Sequence, residues 1–196
     1  MIKLKVWTVF MAFLVTSIGY SNFLKAVSFE DVNSLRWVGT KVSGKHEGTI
    51  GIKSVDFKFD SKTKNLIGGQ VLVDMQSINT TDIKGEWKKK LDDHLKNADF
   101  FDVVKYPTSK MVFKSVKLKS SDENKKVYEV VADLTMLNVT KPVSFELKED
   151  PQSFKTQFKV NRTHYGIKYK SKNFFKKLGD KVINDDFDLI VSLKKK

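Results

Sequence analysis

The stretch VDFKFDSKTKNLIGGQVLVDM, residues 55–75, decides the fold because it contains two short runs in which apolar and polar residues alternate. The apolar positions are Val55, Phe57 and Phe59 in the first run and Val71, Val73 and Met75 in the second. A period of two is typical of a β-strand with one buried face. The polar residues between the runs, followed by Gly68 and Gly69, indicate a turn. The stretch therefore predicts two neighbouring antiparallel strands.

The same alternation recurs over most of the chain from residue 34 onward. Its further apolar positions are Met111 and Phe113; Tyr128, Val130, Ala132, Leu134 and Met136; Val143, Phe145 and Leu147; Phe154, Phe158 and Val160; and Phe187, Leu189, Val191 and Leu193. With strands at 34–42 and 46–53, the pattern predicts about eight strands joined by short turns. Because open sheet edges promote aggregation, such a set closes into a barrel or stacks as two sheets, and the alternation alone allows both.

One segment departs from the period of two. Its apolar residues recur at a spacing of four, at Trp87, Leu91 and Leu95, and charged residues occupy the other positions. Thr81 or Asp82 offers an N-cap. We therefore predict an amphipathic helix near residues 82–97 that lies over one end of the barrel, with its apolar stripe as a packing face rather than a partner site.

Composition and charge exclude several classes of site. The 196 residues contain no cysteine, which rules out disulfides, thiolate metal sites, a cysteine nucleophile and a lipid-modified N-terminal cysteine. The formal net charge is +13, but only Arg36 and Arg162 are arginine and the other basic residues are lysine. Arginine is favoured for reading bases, whereas scattered lysine is typical of a solvated surface. We expect the charge to serve solubility first, and a weak attraction to anionic membrane surfaces second.

The N-terminus has the pattern of a secretory signal peptide. Lys3 and Lys5 precede an uncharged run over residues 6–18, which is shorter than the roughly 20 residues of a membrane-spanning helix. We predict cleavage after Ser21, with Ala26 as the alternative site. A buried first helix and an uncleaved anchor are the competing interpretations. The prediction gives a signal peptide at 1–21, a single domain at 22–196, and a bacterial periplasmic or secreted location.

The sequence offers no recognisable catalytic, metal or cofactor motif. His46, His94 and His164 are far apart, and the chain lacks a G-x-S-x-G elbow, a phosphate-binding loop and a dinucleotide-binding loop. Basic and aromatic residues interleave over 162–177, a pattern that can stack bases in a basic groove. Because a signal peptide directs the protein away from nucleic acid, we expect no nucleic-acid partner.

Several short motifs, in order, resemble the YceI-like family of lipocalin-like proteins. They are WVGTK at 37–41, GKHEGTI at 44–50, GQVLVDMQS at 69–77, the block from Lys90 to Pro107 with DFFDV at 99–103, LTM with VTKPV at 134–143, and Arg162 with YGI at 165–167. The likeness covers about residues 33–194. The family's turn before VTKP usually carries a glycine where this chain has Asn138, and asparagine tolerates the left-handed backbone that such a turn needs.

The resemblance implies an all-β, eight-stranded antiparallel barrel that holds a polyisoprenoid or similar long apolar lipid, without catalysis or cofactor. The expected ligand-binding residues are Trp37, His46, Ile50, Phe57, Val71, Val73, Met75, Leu91, Leu95, Phe100, Phe101, Met111, Phe113, Leu134, Met136 and Arg162. Three alternatives stay open at this point. The same residues can form a filled core, a cofactor-free barrel enzyme can use His46 or His94, and a structural or adhesion module can use the lysine-rich surface.

Overall fold

The computed structural model describes residues 28–29 and 34–196, in which eight strands form a closed antiparallel barrel. The strands are β1 (Ser34–Lys41), β2 (Gly44–Phe59), β3 (Leu66–Thr80), β4 (Thr108–Ser121), β5 (Lys126–Met136), β6 (Val139–Glu149), β7 (Ser153–Asn161) and β8 (Ile183–Lys194). Each strand pairs with the next, and β8 pairs with β1, so the sheet has no free edge. The predicted barrel is confirmed, whereas the predicted signal peptide lies outside the described residues.

Strand β2 joins two of the predicted strands, 46–53 and 55–59, into one. Its register against β3 shifts between Ile52 and Ser54. Ile50 and Ile52 face the interior before the shift, and Val55 and Phe57 pack into the core after it, so the inward positions change from even to odd numbers. An extra residue at such a bulge bends the strand and keeps the apolar side facing inward.

The hairpin between β5 and β6 has a two-residue turn, Leu137 and Asn138, with φ of 52° and 60°. Two successive left-handed residues match the right-handed twist of the flanking strands. Asn138 therefore fills the turn without the glycine that is usual in the resembling family, as expected.

The predicted helix is present as α1 (Gly85–Lys96), which is shorter than residues 82–97. Neither Thr81 nor Asp82 caps it, because the N-cap position is Lys84. The Asp82 carboxylate instead accepts hydrogen bonds from His46 and from the backbone N–H of Glu47. Leu95 is buried and Leu91 is half-buried, but the Trp87 side chain is 72% exposed, so the predicted apolar stripe is wrong at that residue. A half-buried carboxylate, Asp92, fixes the helix to β3 by accepting the Thr80 N–H at 2.8 Å.

The two ends of the barrel differ. The end that we call the helix end carries the β1–β2 turn, the connection 81–107 with α1, the β5–β6 turn and the segment 162–182. This segment contains two short 3-10 helices, Arg162–Tyr165 and Gly179–Lys181. At the opposite end, the rings of Phe29, Phe57 and Phe154 pack together, with centroids 5.1–6.1 Å apart. Within the described part of the chain, no helix is long and apolar enough to span a bilayer.

Candidate functional site: two cavities in the barrel

An inner cavity of about 80 Å³ occupies the middle of the barrel. Its walls come from all eight strands and from Phe101 in the connection 81–107, so every strand contributes an inward-facing side chain. Nearly all of these side chains are aliphatic, aromatic or methionine, and Ser109 and Thr156 are the exceptions. Alternation along each strand explains this composition, because it directs the apolar half of each strand to the lumen.

A second cavity, of about 110 Å³, lies at the helix end between α1, β1 and the start of β8, and we call it the mouth cavity. Ile50, Phe101 and Phe187 line both cavities, so the two share a wall. The mouth cavity extends to Lys41 and Asn184, which are partly exposed. A largely apolar lining therefore extends from the interior of the barrel to its helix end.

Every residue predicted to bind a ligand lines one of these cavities. The inner cavity has Phe57, Val71, Val73, Met75, Met111, Phe113, Leu134 and Met136. The mouth cavity has Trp37, His46, Leu91, Leu95, Phe100 and Arg162, while Ile50 and Phe101 line both. The structure thus brings the whole predicted set together, and contact with a ligand stays a prediction for each residue.

The prediction missed the contribution of β6, β7 and β8. The residues of these strands that line the inner cavity include Phe145, Leu147, Phe154, Phe158, Phe187, Leu189, Val191 and Leu193. Their alternation was visible in the sequence, but it does not tell which of two faces points inward. The prediction also missed Ile183 and Asn184 in the mouth cavity, and for these no sequence signal existed, because they reach it only through the pairing of β8 with β1.

Arg162 is 2% exposed, and its guanidinium is held by the protein itself. It donates to the backbone oxygens of Asn184, Ile167 and Ile183 at 3.0–3.1 Å and to Asp185 Oδ1 at 3.2 Å. Burial lowers the pKa of Arg162, and the charge of Asp185 opposes this effect. These four hydrogen bonds tie the segment after β7 to the start of β8. Arg162 therefore positions the wall of the mouth cavity.

Two buried polar atoms of residues in the mouth cavity lack a hydrogen-bond partner among the described residues. They are Trp37 Nε1 and His94 Nε2. The indole N–H is a donor, and the imidazole nitrogen donates or accepts according to its tautomer. The His94 ring is fixed by Tyr169, with centroids 4.3 Å apart, and by Phe100, at 5.5 Å. Since buried polar groups normally have partners, this pair suits a ligand that carries a polar atom at one end.

His46 is paired with a carboxylate at the rim of the mouth cavity. Its Nδ1 lies 2.9 Å from Asp82 Oδ2. Burial tends to raise the pKa of Asp82, but the hydrogen bonds from His46 and from the Glu47 N–H outweigh it and leave the pKa below its ordinary value. The pair joins β2 to the segment before α1. Within residues 28–29 and 34–196, no hydrogen bond connects either His46 or His94 to a hydroxyl group, and no cluster of three metal-ligating side chains occurs.

Comparison with known proteins identifies relatives of this arrangement. The model of the YceI-like domain matches residues 25–194. Protein YceI of Escherichia coli O157:H7 is 34% identical over 126 residues, which are 59% of this chain and only 61% of the length of that relative.

Two solved structures share the barrel. BcnA of Burkholderia cenocepacia has a TM-score of 0.64 at 18% identity, over 83% of this chain and 95% of that one. A polyisoprenoid binding domain from Saccharophagus degradans has a TM-score of 0.60 at 11% identity, over 87% of this chain and 97% of that one. At these identities, the two structures show a common fold alone.

Proposed function

Because this chain belongs to the YceI-like family, we propose that it is a binding protein that carries a polyisoprenoid or a similar long apolar lipid inside the barrel. The observation that carries the proposal is the apolar wall shared by the inner and mouth cavities, from the centre of the barrel to its helix end. The Saccharophagus degradans neighbour, described as a polyisoprenoid binding domain, supports the choice of ligand class.

The wall suits a flexible hydrocarbon chain. Met75, Met111 and Met136 line the inner cavity, and their unbranched thioether side chains adjust to irregular shapes. Burial contributes about 0.8 kcal/mol per methylene, so ten buried groups give roughly 8 kcal/mol before the costs of association and ordering. Burial of the chain therefore supplies a favourable contribution that does not depend on the end group.

We place the apolar chain of the ligand in the inner cavity and its polar end in the mouth cavity. Trp37 Nε1 and His94 Nε2 offer hydrogen bonds there that the protein leaves unused among the described residues. Arg162 is committed to four protein acceptors, so a strongly charged end group gains little from it.

The proposal includes export. A signal peptide at residues 1–21 and a single mature domain at 22–196 place the protein in the periplasm or outside a bacterial cell, on the basis of Lys3, Lys5 and the uncharged run 6–18. The competing function is a cofactor-free enzyme that uses His46, which Asp82 orients, or His94. The carrier function is preferred because it accounts for the apolar walls of both cavities, whereas the enzyme function involves only the histidines of the mouth cavity.

The test is mass spectrometry of an organic extract of the purified protein, with Met136→Lys and its matched control Met136→Leu. Met136 is 6% exposed and lines the inner cavity, so an ammonium at this position displaces the ligand or loses its proton. We expect a long-chain lipid in the parent and in Met136→Leu and at least about ten-fold less in Met136→Lys. A folded Met136→Lys protein, checked by circular dichroism, that carries as much lipid as the parent contradicts the cavity assignment.

A further inference from the structure

The segment from Thr163 to Val182, which we call the basic loop, concentrates positive charge at the helix end. It contains the lysines Lys168, Lys170, Lys172, Lys176, Lys177 and Lys181, against a single acidic residue, Asp180. The neighbouring connection 81–107 is balanced by comparison, since lysines and acidic residues occur there in equal number. Of these two long connections at the helix end, the basic loop alone carries an excess of positive charge.

Two adjacent aromatic side chains of the basic loop face the solvent. Phe174 and Phe175 are 49% and 47% exposed. Their backbone N–H groups both donate to the oxygen of Ser171, at 3.1 and 2.9 Å, which forms a tight turn. Exposed aromatic residues in pairs are unusual on a surface that has only water as its partner.

The base of the basic loop is fixed by buried polar contacts. Asp185 on β8 accepts hydrogen bonds from Ser171 Oγ at 2.9 Å and from Asn173 Nδ2 at 2.7 Å, and it pairs with Arg162. Ser171 is fully buried, and the Asp185 side chain is 9% exposed. The exposure of the two phenylalanines is therefore built into the structure, because the residues just before them are anchored.

The basic loop contacts residues that line the mouth cavity. Its Lys170 oxygen accepts the N–H of Ile183, which lines that cavity, and its Val182 oxygen accepts the N–H of Val42 in the β1–β2 turn. Val42 is itself 64% exposed. An apolar surface and a basic surface thus meet beside the mouth cavity.

The exposed apolar residues of this end extend beyond the basic loop. Among the described residues, the large hydrophobic side chains that are exposed at the helix end are Val42, Trp87, Val104, Phe174 and Phe175, and those exposed elsewhere are Ile67, Leu118 and Val131.

We propose that the basic loop docks the helix end onto an anionic lipid bilayer. Phe174 and Phe175 insert their apolar rings at the boundary between head groups and acyl chains, while the lysines meet the phosphates of the head groups. The Lys168 ammonium lies 5.0 Å from the Phe174 ring, so one patch presents both kinds of contact. Docking in this orientation turns the mouth cavity toward the membrane. A bilayer is favoured over nucleic acid because the patch continues into the apolar Val42 and into an apolar cavity, which bases and phosphates do not fill.

Vesicle flotation tests the proposal with phosphatidylcholine vesicles and with vesicles of phosphatidylcholine and phosphatidylglycerol in equal parts. The loop variants are Lys172→Gln/Lys176→Gln/Lys177→Gln and Phe174→Ser/Phe175→Ser. The matched controls are Lys117→Gln/Lys125→Gln/Lys148→Gln, which removes the same charge from exposed strand and turn positions, and Ile67→Ser/Leu118→Ser, which removes exposed apolar residues elsewhere.

We expect the parent and both controls to bind the anionic vesicles within about two-fold of one another, and each loop variant to bind about 10- to 100-fold more weakly. If the loop variant and the control variant with three lysines replaced lose vesicle binding equally, the proposal is overturned, because binding then depends on net charge and not on the basic loop. Unchanged vesicle binding by Phe174→Ser/Phe175→Ser contradicts insertion of the two rings into the bilayer. Tighter binding of the parent to a single-stranded oligonucleotide than to vesicles identifies a nucleic-acid surface instead. Membrane docking is independent of the proposed ligand. If the protein binds vesicles but its organic extract contains no lipid, only the proposed carrier function is contradicted.

Discussion

At Gly48, strand β2 has no room for a side chain. A Cβ atom there would lie 2.1 Å from the backbone oxygen of Asn79 on β3 and 2.8 Å from the ring of Trp37. Since neither the ladder nor the buried indole can move freely, we expect Gly48→Ala to destabilise the fold by about 2–3 kcal/mol in urea unfolding. Gly68→Ala is the matched control, because among the described residues, apart from its chain neighbours, no atom lies within 4 Å of its Cβ position. A Gly48→Ala protein as stable as Gly68→Ala contradicts this account.

Asp150 gives the β6–β7 turn a dependence on pH. A hydrogen bond from the Ser153 hydroxyl, aided by Lys155 and by the N–H groups of Gln152 and Ser153, lowers the pKa of Asp150 from 3.8 to about 2. A lowered pKa means that the carboxylate stabilises the fold above about pH 4, and that this contribution disappears as the pH falls towards 2.

The variant Asp150→Asn measures that contribution. At pH 7 we expect it to lower the free energy of unfolding by up to about 1 kcal/mol, since the site is partly exposed to solvent. The difference from the parent should shrink as the pH falls from about 4 to about 2. A difference that stays constant over this interval would show that the charge of Asp150 does not contribute.

At the scale of the element, α1 packs through one part of its predicted apolar stripe. Leu95 is 8% exposed, whereas Trp87 is 72% exposed. Leu95→Ala should therefore cost about 2–4 kcal/mol, and Trp87→Ala should change the free energy of unfolding by less than about 0.5 kcal/mol. Thermal or urea unfolding of both variants checks this difference. A larger cost for Trp87→Ala would mean that the helix packs through all three residues of the stripe.

Strand β2 shows how far a local pattern predicts an element. The alternation predicted apolar runs on both sides of Ser54, and both runs are in strands. It did not predict that they form a single strand, because the register shift next to Ser54 depends on the pairing with β3. Alternation reports only which residues share a face, and a bulge exchanges the faces without any change in composition.

For the molecule as a whole, the predicted signal peptide gives a mass that can be measured. The full chain has a mass of 22.5 kDa. Protein recovered from the periplasm or the medium of a bacterial host should lack residues 1–21, because the uncharged run 6–18 follows Lys3 and Lys5. Intact-mass spectrometry checks the cleavage site. Full-length protein that remains soluble in the cytoplasm contradicts both the cleavage and the proposed location.

The sequence by itself determined the strands, the position of the helix, the left-handed turn at Asn138 and the family, because periodicity, turn residues and motifs are local properties. It also selected residues that line the two cavities, since the apolar half of each strand faces the lumen once the barrel closes. Only the tertiary structure decided that the Arg162 guanidinium is held by β8, that Trp37 and His94, which line one cavity, each have a buried polar atom without a partner among the described residues, and that the basic loop is hydrogen-bonded to Ile183 in the wall of that cavity. The physical reason is that these contacts join residues far apart in the chain, and strand pairing, which no local pattern encodes, brings them together.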